Sequence, residues 1–569
     1  MHVVTTRRHY KDTVYETHLL RRTFREDGKV KNETLANLSH LPPEALEAVK
    51  RVLHGEHLVA DTDAFSITRS LRHGDAAAVV GMARRLGFDT LLGAPCPQRD
   101  VALGLICAQV LEPSSKAAYT TWFCDTTLGA DLGLCGIDTD ACYEAMDWLI
   151  GQKDRIERSL VARHLQDGSF VCYDLSSSFV EGSHNELAAF GHSRDGKRNK
   201  RQIEYGVVAT TEGLPVAIEV FPGNTADPKS FIEIVKATKE RFALERIVFV
   251  GDRGMITSAR IAALKADTAL GWVTALRSPD VKALVADGTI QPCLFDEQNL
   301  CEIAHPDYQG ERLVCCKNPF LATERARKRE ALLAGTETDL EKVATSVALG
   351  RLRDPGKIGL RAGRVLNRHK MAKHFNIEIA DGTFSFSRKQ EAIQAEAALD
   401  GIYVIRTSET EDTLSKDAVV QTYKSLANIE RDFRTMKSVD LHIRPIRHRL
   451  ADRVRAHAFI CLLAAHLVFH LRKAWAPLTF KDEAPPARTD PVLPAIRSTA
   501  ASTKAAARRR RDGQELRPFQ GLLDHLATLT RNTCQVPGTN VTFERLAEPT
   551  ETQRKAFELI DVPIPLRLT

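Results

Sequence analysis

The amino-acid sequence predicts a mixed α/β fold, and two observations favour it. Between residues 169 and 277 the apolar residues follow strand-like patterns, giving three strands and a helix, then a strand, a helix and a strand. The segment from about 43 to 165 instead has the apolar spacing of helices. At 569 residues the chain is too long for one ordinary domain, so we expect two to four domains.

The segments before the predicted sheet differ from one another. Residues 1–42 alternate around a turn at Asp27-Gly28 and predict an N-terminal β-meander. Residues 43–165 predict a helical region, in which PQRDVALGLICAQVL (97–111) and EPSSKAAYTTWF (112–123) form two helices across a tight turn. Such a pair is either a DNA-reading helix-turn-helix or a plain packing unit, so this region is a candidate for DNA binding.

The predicted sheet begins at residue 166 and its first part ends at 279. Its strands are SFVCYDLSSSFV (169–180), two strands in IEYGVVATTEGLPVAIEVFPGN (203–224), RIVFVGDRGM (246–255) and GWVTALR (271–277); its helices are SFIEIVKATKERF (230–242) and SARIAALKA (258–266). This order describes a mixed sheet with helices on it.

The remaining chain divides into four segments by pattern and composition. These are 280–398, with short strands and a charged helix at 322–335; 399–475, with a strand at 399–408 and helical runs at 416–436 and 451–475; 476–513, rich in Pro, Ala, Ser, Thr and Arg; and 514–569. The third segment predicts a flexible basic linker, and the last a small C-terminal tail.

Composition excludes some classes of protein. The net charge of +6 and the pI near 8.6 only weakly favour a polyanionic partner. The 12 cysteines form no CxxC pair, which indicates reduced thiols in a cytoplasmic protein. The longest apolar stretch, AFICLLAAHLVFHL (458–471), is interrupted by His466 and His470 and is too short to span a bilayer, so we expect a buried helix and no membrane.

Three carboxylates stand out by their positions. Asp174 lies near the end of a strand-like run, and Asp252 ends the apolar run IVFVG. Glu430 lies on a predicted helix, with Tyr423 seven residues before it and Lys437 seven residues after it. Seven residues are two helical turns, so the three would share one helix face.

These carboxylates have either a catalytic or a structural interpretation. Asp252 could simply cap the next helix, as strand-terminal aspartates often do. Alternatively, carboxylates from two strand ends and one helix can hold two Mg²⁺ ions roughly 4 Å apart, which activate a nucleophilic oxygen and stabilise a leaving oxygen. Basic residues on the same helix would then contact a phosphodiester.

The sequence blocks around these residues resemble a known family. VCYDLS, VFVGDRG and the string Y-x₂-L-x₃-E-x₆-K resemble the three blocks of the DDE transposases of bacterial insertion sequences. More narrowly, they resemble the insertion-sequence-four superfamily, which has a Tyr-Arg-Glu-Lys signature. Supporting blocks lie at 190–208, 213–227 and 444–464, and the resemblance covers most of residues 1–475.

The resemblance implies a fold and a set of site residues. The fold would be an RNase H-like core, made of residues 166–279 and 399–475, with a β-rich insertion at 280–398. Asp174, Asp252 and Glu430 would be catalytic and would ligate two Mg²⁺ or Mn²⁺ ions. Further residues would contact DNA: Tyr423, Lys437, Arg253 and Arg434, and in the loop GKRNKR Lys197, Arg198, Lys200 and Arg201.

For some of these predicted DNA contacts a second interpretation stays open. The signature arginine is replaced here by Leu426, and Arg434, one turn beyond Glu430, is the candidate substitute. Arg253 could equally form a local salt bridge. The GKRNKR charges could belong to a solvated loop.

The sequence therefore predicts a cut-and-paste DNA transposase. It would bind the inverted-repeat ends of an insertion sequence, pair them in a homodimer or higher oligomer, cleave them and join them to target DNA. We expect it in the bacterial cytoplasm, on the nucleoid when DNA-bound. The alternatives are a metal-dependent nuclease of the same fold without strand transfer, an inactive DNA-binding remnant, or an α/β protein whose carboxylates are structural caps.

Overall fold

The computed structural model describes residues 1–11, 13–56, 65–194, 196–197, 199–225, 244–510, 512–537 and 539–568. Two predictions lie outside the described residues, namely the helix at 230–242 and the DNA contact of Arg198. The chain forms two compact units. One comprises Met1–Leu71 and Arg531–Ala547, and the other comprises Arg72–Thr530 and Glu548–Thr569.

The described strands are the following, in chain order. They are β1 (His2–Tyr10), β2 (Thr13–Glu26), β3 (Lys29–Asn37), β4 (Ser66–Arg72), β5 (Ser169–Phe179), β6 (Gln202–Thr210), β7 (Pro215–Pro222), β8 (Ile247–Val250), β9 (Leu270–Ala275), β10 (Leu300–Ile303), β11 (Arg312–Lys317), β12 (Phe375–Ala380), β13 (Thr383–Arg388), β14 (Ile402–Thr407), β15 (Thr530–Gln535) and β16 (Thr542–Leu546).

The described α-helices are the following, in chain order. They are α1 (Pro43–Leu53), α2 (Gly74–Arg85), α3 (Phe88–Leu92), α4 (Pro97–Leu111), α5 (Lys116–Trp122), α6 (Thr127–Asp131), α7 (Thr139–His164), α8 (Ser258–Leu264), α9 (Ser278–Ala286), α10 (Pro319–Ala348), α11 (Pro355–His369), α12 (Gln390–Ala397), α13 (Lys416–Lys424), α14 (Leu426–Arg434), α15 (Ala451–Ala474), α16 (Thr499–Ala507), α17 (Phe519–Ala527) and α18 (Glu551–Leu559).

The smaller unit consists of two three-stranded sheets and α1. Strands β1, β2 and β3 form a meander in that order. The second sheet has the order β16-β15-β4, so two strands near the end of the chain pair with one near its beginning. Side chains add to this pairing, because Ser70 Oγ donates to Asn532 Oδ1 at 2.6 Å. The prediction of a C-terminal tail from 514 is therefore wrong for these residues.

The larger unit is built on an eight-stranded sheet with the order β10-β11-β14-β9-β8-β5-β6-β7. Strands β5, β6 and β7 are antiparallel neighbours, whereas β8 runs parallel to β5 and β9 parallel to β8. Strand β14 then pairs antiparallel with β9. The mixed α/β class is thus confirmed, and the strands predicted between 169 and 277 are all present.

The core of this unit lies around α15. This helix is buried on nearly every side and packs against α4, α7 and β7. By length and composition it could cross a membrane, but 83% of its most apolar window is buried inside the protein. The apolar run at 458–471 is therefore a core helix, as its interruption by histidines predicted.

The segment 280–398 differs from the predicted β-rich insertion. Its largest elements are the helices α10 and α11, which pack against each other and against the small hairpin β12–β13. Its other strands, β10 and β11, extend the main sheet instead of forming a separate domain. The helical content follows from the run of Ala, Glu, Leu, Lys and Arg in α10, which are strong helix formers.

The segment 476–513 is not a free linker in its described part. Lys504 Nζ donates to the carbonyl of Ala476 at 2.8 Å, and Ser498 caps α16. Lys424 on α13 donates to the carbonyls of Pro491 and Val492 at 2.6 and 2.7 Å. These bonds tie the segment to the larger unit, which composition alone did not indicate.

The candidate helix-turn-helix is formed by α4 and α5. Residues Val101–Leu111 of α4 are all buried, and Ser115 caps α5 through the amide of Ala118. The one cation of α5, Lys116, is buried with its ammonium 5.1 Å from the ring centre of Tyr119. With its cation inside, the described pair has the properties of a packing unit.

Candidate active site

Asp174 occupies the middle of β5, between β6 and β8. Its carboxylate is half-buried, and its Oδ1 accepts a hydrogen bond from the amide of Leu175 at 2.8 Å. Burial raises the pKa of this carboxyl to about 7, and the negative charges of Asp252 and Glu430 raise it further in the same sense. Both other carboxylates therefore lie near enough to Asp174 to influence its charge.

Asp252 follows β8 by two residues, at the edge to which parallel β5 also runs. It is exposed, and its Oδ1 accepts from the amides of Gly254 and Met255 at 2.9 and 2.7 Å. The capping interpretation is thus correct in part, although the capped element is this turn. Helix α8 begins later, after Thr257. One carboxylate oxygen is held by the turn, which orients Oδ2 for another ligand.

Glu430 is brought to the sheet by α14, which packs on β5. Phe433 stacks edge-on against Tyr205 of β6 with ring centres 5.9 Å apart. Asn428 Nδ2 donates to the carbonyl of Thr211 at 2.7 Å, in the β6–β7 turn. Gly213 in this turn has φ +90, and a Cβ there would lie 2.9 Å from Asn428 Cβ, so glycine permits the close approach. Glu430 itself is exposed.

The helix predicted over 416–436 is broken into three segments. Helix α13 ends at Lys424, α14 ends at Arg434, and Thr435–Val439 form a π-helical turn. The Ser425 hydroxyl donates to the carbonyl of Thr422 at 2.6 Å and lies 3.2 Å from Cys172 Sγ of β5. Such a back-bond from serine bends a helix, and here it bends the chain toward the sheet.

Because of this break, Tyr423, Glu430 and Lys437 do not lie on one face of a single helix, as their spacing predicted. The three residues lie on three different helical segments, so the seven-residue spacing no longer defines one stripe. Tyr423 nevertheless belongs to the site, because burial and then the charge of Asp252 raise its pKa to about 12, with Glu430 adding to the rise. The phenol therefore stays protonated at neutral pH and can donate a hydrogen bond.

Arg194 was missed by the sequence analysis and lies close to the carboxylates. Its guanidinium lowers the pKa of Asp174, against the effect of burial and of the other carboxylates. Its backbone amide donates to Ser177 Oγ of β5 at 3.0 Å, which holds the loop against the strand. Arg194 lies in the block 190–208, three residues before Lys197. It is outside the basic run GKRNKR, from which the sequence analysis took its candidate DNA contacts.

Arg253 and Arg277 form a basic cavity beside Asp252. The cavity measures about 360 Å³ and is also lined by Ser258, Arg406 and one carboxylate, Asp280. Arg277 Nε lies 3.5 Å from the carbonyl oxygen of Arg253, and Arg253 contacts Ser278 Oγ at 3.5 Å. Both arginines are exposed. The alternative interpretation of Arg253 was a local salt bridge, but its contact within the described chain is with the hydroxyl of Ser278.

The other predicted DNA contacts are on the surface. Arg434 at the end of α14 is exposed, as are Lys197 and Lys200 in the loop between β5 and β6. Arg201 is half-buried and donates to the carbonyl of Ser183 at 2.9 Å, so it also orders this loop. Lys437 is half-buried in the π-helical turn.

The donor set fits a hard divalent cation. Three carboxylates offer only oxygen, as Mg²⁺ and Mn²⁺ prefer. Burial is the main cause of the raised pKa of Asp174, and the negative charges of Asp252 and Glu430 add to it, which a bound cation would offset. Asp174 is the carboxyl whose pKa is influenced by both of the others.

Two family models match the chain. The model described as "Transposase DDE domain" matches residues 171–467, and the model described as "IS1634 family transposase, N-terminal domain" matches residues 3–63. The first match spans more than half of the chain and includes all three carboxylates. No curated protein matches the chain.

Two solved structures resemble the chain weakly. A piggyBac transposase synaptic complex with hairpin DNA is 8% identical with a TM-score of 0.33, covering 80% of this chain and 76% of that chain. A Mos1 transposase paired-end complex with left transposon end is 14% identical with a TM-score of 0.14, covering 42% and 70%. These scores carry no argument about mechanism.

Proposed function

The chain belongs to the DDE-domain transposases of insertion sequences, and on that premise we propose that it carries out cut-and-paste transposition. It binds the inverted-repeat ends of its element as double-stranded DNA, cleaves them with two Mg²⁺ or Mn²⁺ ions, and joins the 3′-OH ends to target DNA. The oligomer that pairs the two ends is a homodimer or larger. The reaction takes place in the cytoplasm, on the nucleoid.

One observation supports this proposal above the others. Burial raises the pKa of Asp174, and the charges of Asp252 and Glu430 raise it further, although these residues are 78 and 256 positions away in the chain. A fold that brings three carboxylates together at a sheet edge leaves them mutually repelling unless cations bind. Structural caps would not need this arrangement.

Each residue has a proposed role in the reaction. Asp174, Asp252 and Glu430 hold the ions, which, when bound, lower the pKa of water or a 3′-OH and stabilise the leaving oxygen. Tyr423 donates its hydroxyl to a phosphate oxygen near the cleaved end. Arg194 limits the rise in the Asp174 pKa, so that this carboxylate is available near neutral pH.

The surrounding cations are proposed to bind DNA phosphate. Nearest to the carboxylates are Arg253, Arg277 and Arg434, with Lys437 in the π-helical turn. The loop residues Lys197, Arg198, Lys200 and Arg201 would bind the DNA further from the scissile bond. Arginines present several donors in a fixed geometry that suits phosphate oxygens.

The finer family assignment is also a proposal. We assign the chain to the insertion-sequence-four superfamily because Tyr423, Glu430 and Lys437 keep its signature spacing, with Leu426 as the exception. An RNase H-like core is supported by the strand order β7-β6-β5-β8-β9, with three antiparallel strands followed by two parallel ones.

The test is cleavage and strand transfer on a labelled duplex that carries the element's own end. The natural protein is compared with Asp252→Asn and Glu430→Gln, in Mg²⁺ and in Mn²⁺. Glu391→Gln is the matched control, because Glu391 is also an exposed helical glutamate but lies on α12. We expect nicking and joining by the natural and control proteins, and binding without chemistry by the two carboxylate variants.

Other results would support a different function. Cleavage without joining would favour the metal-dependent nuclease. DNA binding without cleavage by the natural protein would favour the inactive remnant. Equal activity in all four proteins would show that the carboxylates are structural, and the proposal would be wrong.

A further inference from the structure

Three histidines meet at one place in the larger unit. His164 is the last residue of α7, and His466 and His470 are one turn apart on α15. One ring nitrogen of each lies within 4.8 Å of one ring nitrogen of the others. The rings are close together, with centres 5.3 Å apart for His164 and His466 and 5.1 Å apart for His466 and His470.

The hydrogen bond of His466 determines which nitrogen is free. Its Nδ1 lies 3.1 Å from the carbonyl oxygen of Pro215, the first residue of β7. A carbonyl only accepts, so Nδ1 carries the proton and Nε2 carries the lone pair. Proteins commonly fix a metal-binding imidazole in this way, with one nitrogen donating to a carbonyl and the other facing the ion.

His470 supplies an independent observation. Within the described chain, its buried Nε2 has no hydrogen-bond partner. A buried polar atom without a partner destabilises the folded state, so its position calls for an explanation. Histidines four residues apart on one helix face can reach a common ion, as in helical zinc sites.

All three imidazoles are neutral at physiological pH, as metal ligands must be. Burial lowers the pKa of His466 to about 3 and that of His470 to about 4. Burial also lowers the pKa of His164, with the charge of Arg163 acting in the same direction. The cluster therefore presents lone pairs and no positive charge of its own.

We propose that His164, His466 and His470 bind one divalent transition-metal ion of the zinc class, separate from the carboxylate site. Three imidazole nitrogens suit Zn²⁺, Co²⁺, Ni²⁺ or Cu²⁺, and not Mg²⁺. Nitrogens on a tetrahedral zinc stand roughly 3.3 Å apart, which small rotations of His164 and His470 would reach. The ion joins the end of α7 to α15 and, through Pro215, to β7.

One of the three proposed ligands, His164, also lines a cavity. A space of about 390 Å³ is lined by His164, by Ser169 at the start of β5, and by Thr210 and Glu212 near the β6–β7 turn. Water or a small anion can complete the coordination there. Ser169 and Asp174 are five residues apart on one strand, which places the cavity roughly 17 Å along β5 from the carboxylate.

The first experiment measures metal content and Co²⁺ binding in the full-length, tag-free protein. After chelation, the protein is titrated with Co²⁺ in excess Mg²⁺, which occupies the carboxylates. We expect one Co²⁺ per chain with the intense visible absorption of a tetrahedral nitrogen site, and displacement by one equivalent of Zn²⁺. No spectral change, or only the weak spectrum of an oxygen-ligated ion, would overturn the proposal.

Two variants and a matched control assign the ligands. His164→Gln and His470→Gln change half-buried residues and avoid the fully buried His466. His448→Gln is the control, because His448 is also half-buried and also lies against another histidine, His457, with ring centres 5.2 Å apart.

Affinity for Co²⁺ should fall at least about 100-fold in both ligand variants and stay unchanged in the control. Zn²⁺ should raise the Tm of the natural and control proteins and leave that of the two variants unchanged. Equal affinity in all four proteins would overturn the proposal. Folding of each variant is checked by its circular dichroism in the metal-free state, so a loss of binding is separated from unfolding.

Discussion

The carboxylates around Asp174 and the histidines around His466 are two proposed cation sites in the same unit, and they differ in chemistry and in surroundings. The carboxylates come from a strand, a turn and a bent helix, and two of the three are exposed. The histidines come from two long helices of the core, and the central one is buried. The first arrangement is open to solvent at two of its three ligands, whereas the second lies mostly within the core.

Because the two sites differ in exposure and in ligand charge, we expect them to contribute to function in different ways. An exposed site made of carboxylate oxygens adds little to the stability of the fold, because without ions its negative charges repel one another. An enclosed nitrogen site stabilises the elements that it connects, since its ligands are neutral and already oriented. We therefore expect changes at the carboxylates to act on chemistry and changes at the histidines to act on stability.

The largest effects are expected when Glu430→Gln and His470→Gln are each tested both for DNA cleavage and for Co²⁺ binding. Glu430→Gln should lower Mg²⁺-dependent cleavage by at least roughly 10³-fold, as is typical of a lost catalytic group, and leave Co²⁺ binding at one equivalent. His470→Gln should do the reverse, with cleavage at low temperature retained. Loss of both activities in either variant would show that the two sites act as one, and the comparison would fail.

The next effect is on the pH dependence of metal binding. Asp174 has a pKa of about 7 in the metal-free protein, so protons compete with the ion below this pH. The apparent Mg²⁺ affinity, measured by titrating cleavage, should fall by about tenfold per pH unit below 7 and change little above it. Because Arg194 lowers this pKa, Arg194→Ala should move the dependence to higher pH, whereas Lys197→Ala should not. An unshifted profile would remove Arg194 from the site.

A smaller effect concerns stability without metal. The folded pKa of Asp174, about 7, lies above its ordinary value of 3.8, so the folded state binds more protons and stability falls as pH rises through this range. Asp174→Asn should therefore raise the free energy of unfolding at pH 8 by about 1–3 kcal/mol and remove stabilisation by Mg²⁺. Denaturant melts with and without Mg²⁺ measure both.

Asp432 provides the matched control for this prediction. It lies on α14 near Glu430, burial raises its pKa to about 8, and its Oδ2 has no partner within the described chain. Asp432→Asn should likewise stabilise the protein at pH 8, but stabilisation by Mg²⁺ should remain. If neither variant is stabilised by Mg²⁺, this stabilisation depends on the negative charge of the region and does not require Asp174 as a ligand.

The smallest effect is expected at the basic cavity. Arg277→Ala should weaken binding of the element's end modestly and reduce the slope of log affinity against log salt by about 1, as for one lost phosphate contact. Filter binding at several salt concentrations measures this slope. An unchanged slope would show that the cavity does not hold a phosphate.

The sequence predicted the strands of the sheet between 169 and 277 well, for physical reasons, whereas the catalytic role of the carboxylates stays a prediction. Strands β5 to β9 have apolar runs that are visible locally, and the blocks around Asp174 and Asp252 include the strands that carry them. The break at Ser425 was not predicted, because it depends on contact with Cys172 of β5. Arg194 was missed because its role depends on the fold of its loop.

Other errors came from distant packing. Helix α10 continues through Gly335, which locally indicates a helix end, because Leu333, Leu340 and Val347 are buried on one side of it. The spacing of His466 and His470 was visible, but nothing local indicates that His164, about 300 residues earlier, joins them. Long-range pairing is the information that single-sequence patterns lack.

The sheet β16-β15-β4 has a consequence for the synthesis of this protein. Thr68 and its hydrogen-bond partner Thr533 are 465 residues apart, and ribosomes add roughly 5–20 residues per second. Strand β4 would thus wait about 20–90 s for its partners to leave the ribosome, with a strand edge open to other chains. Loss of residues 530–546 would leave that edge permanently unpaired. The sheet that contains β4 is therefore completed only after residues 530–546 have been synthesised.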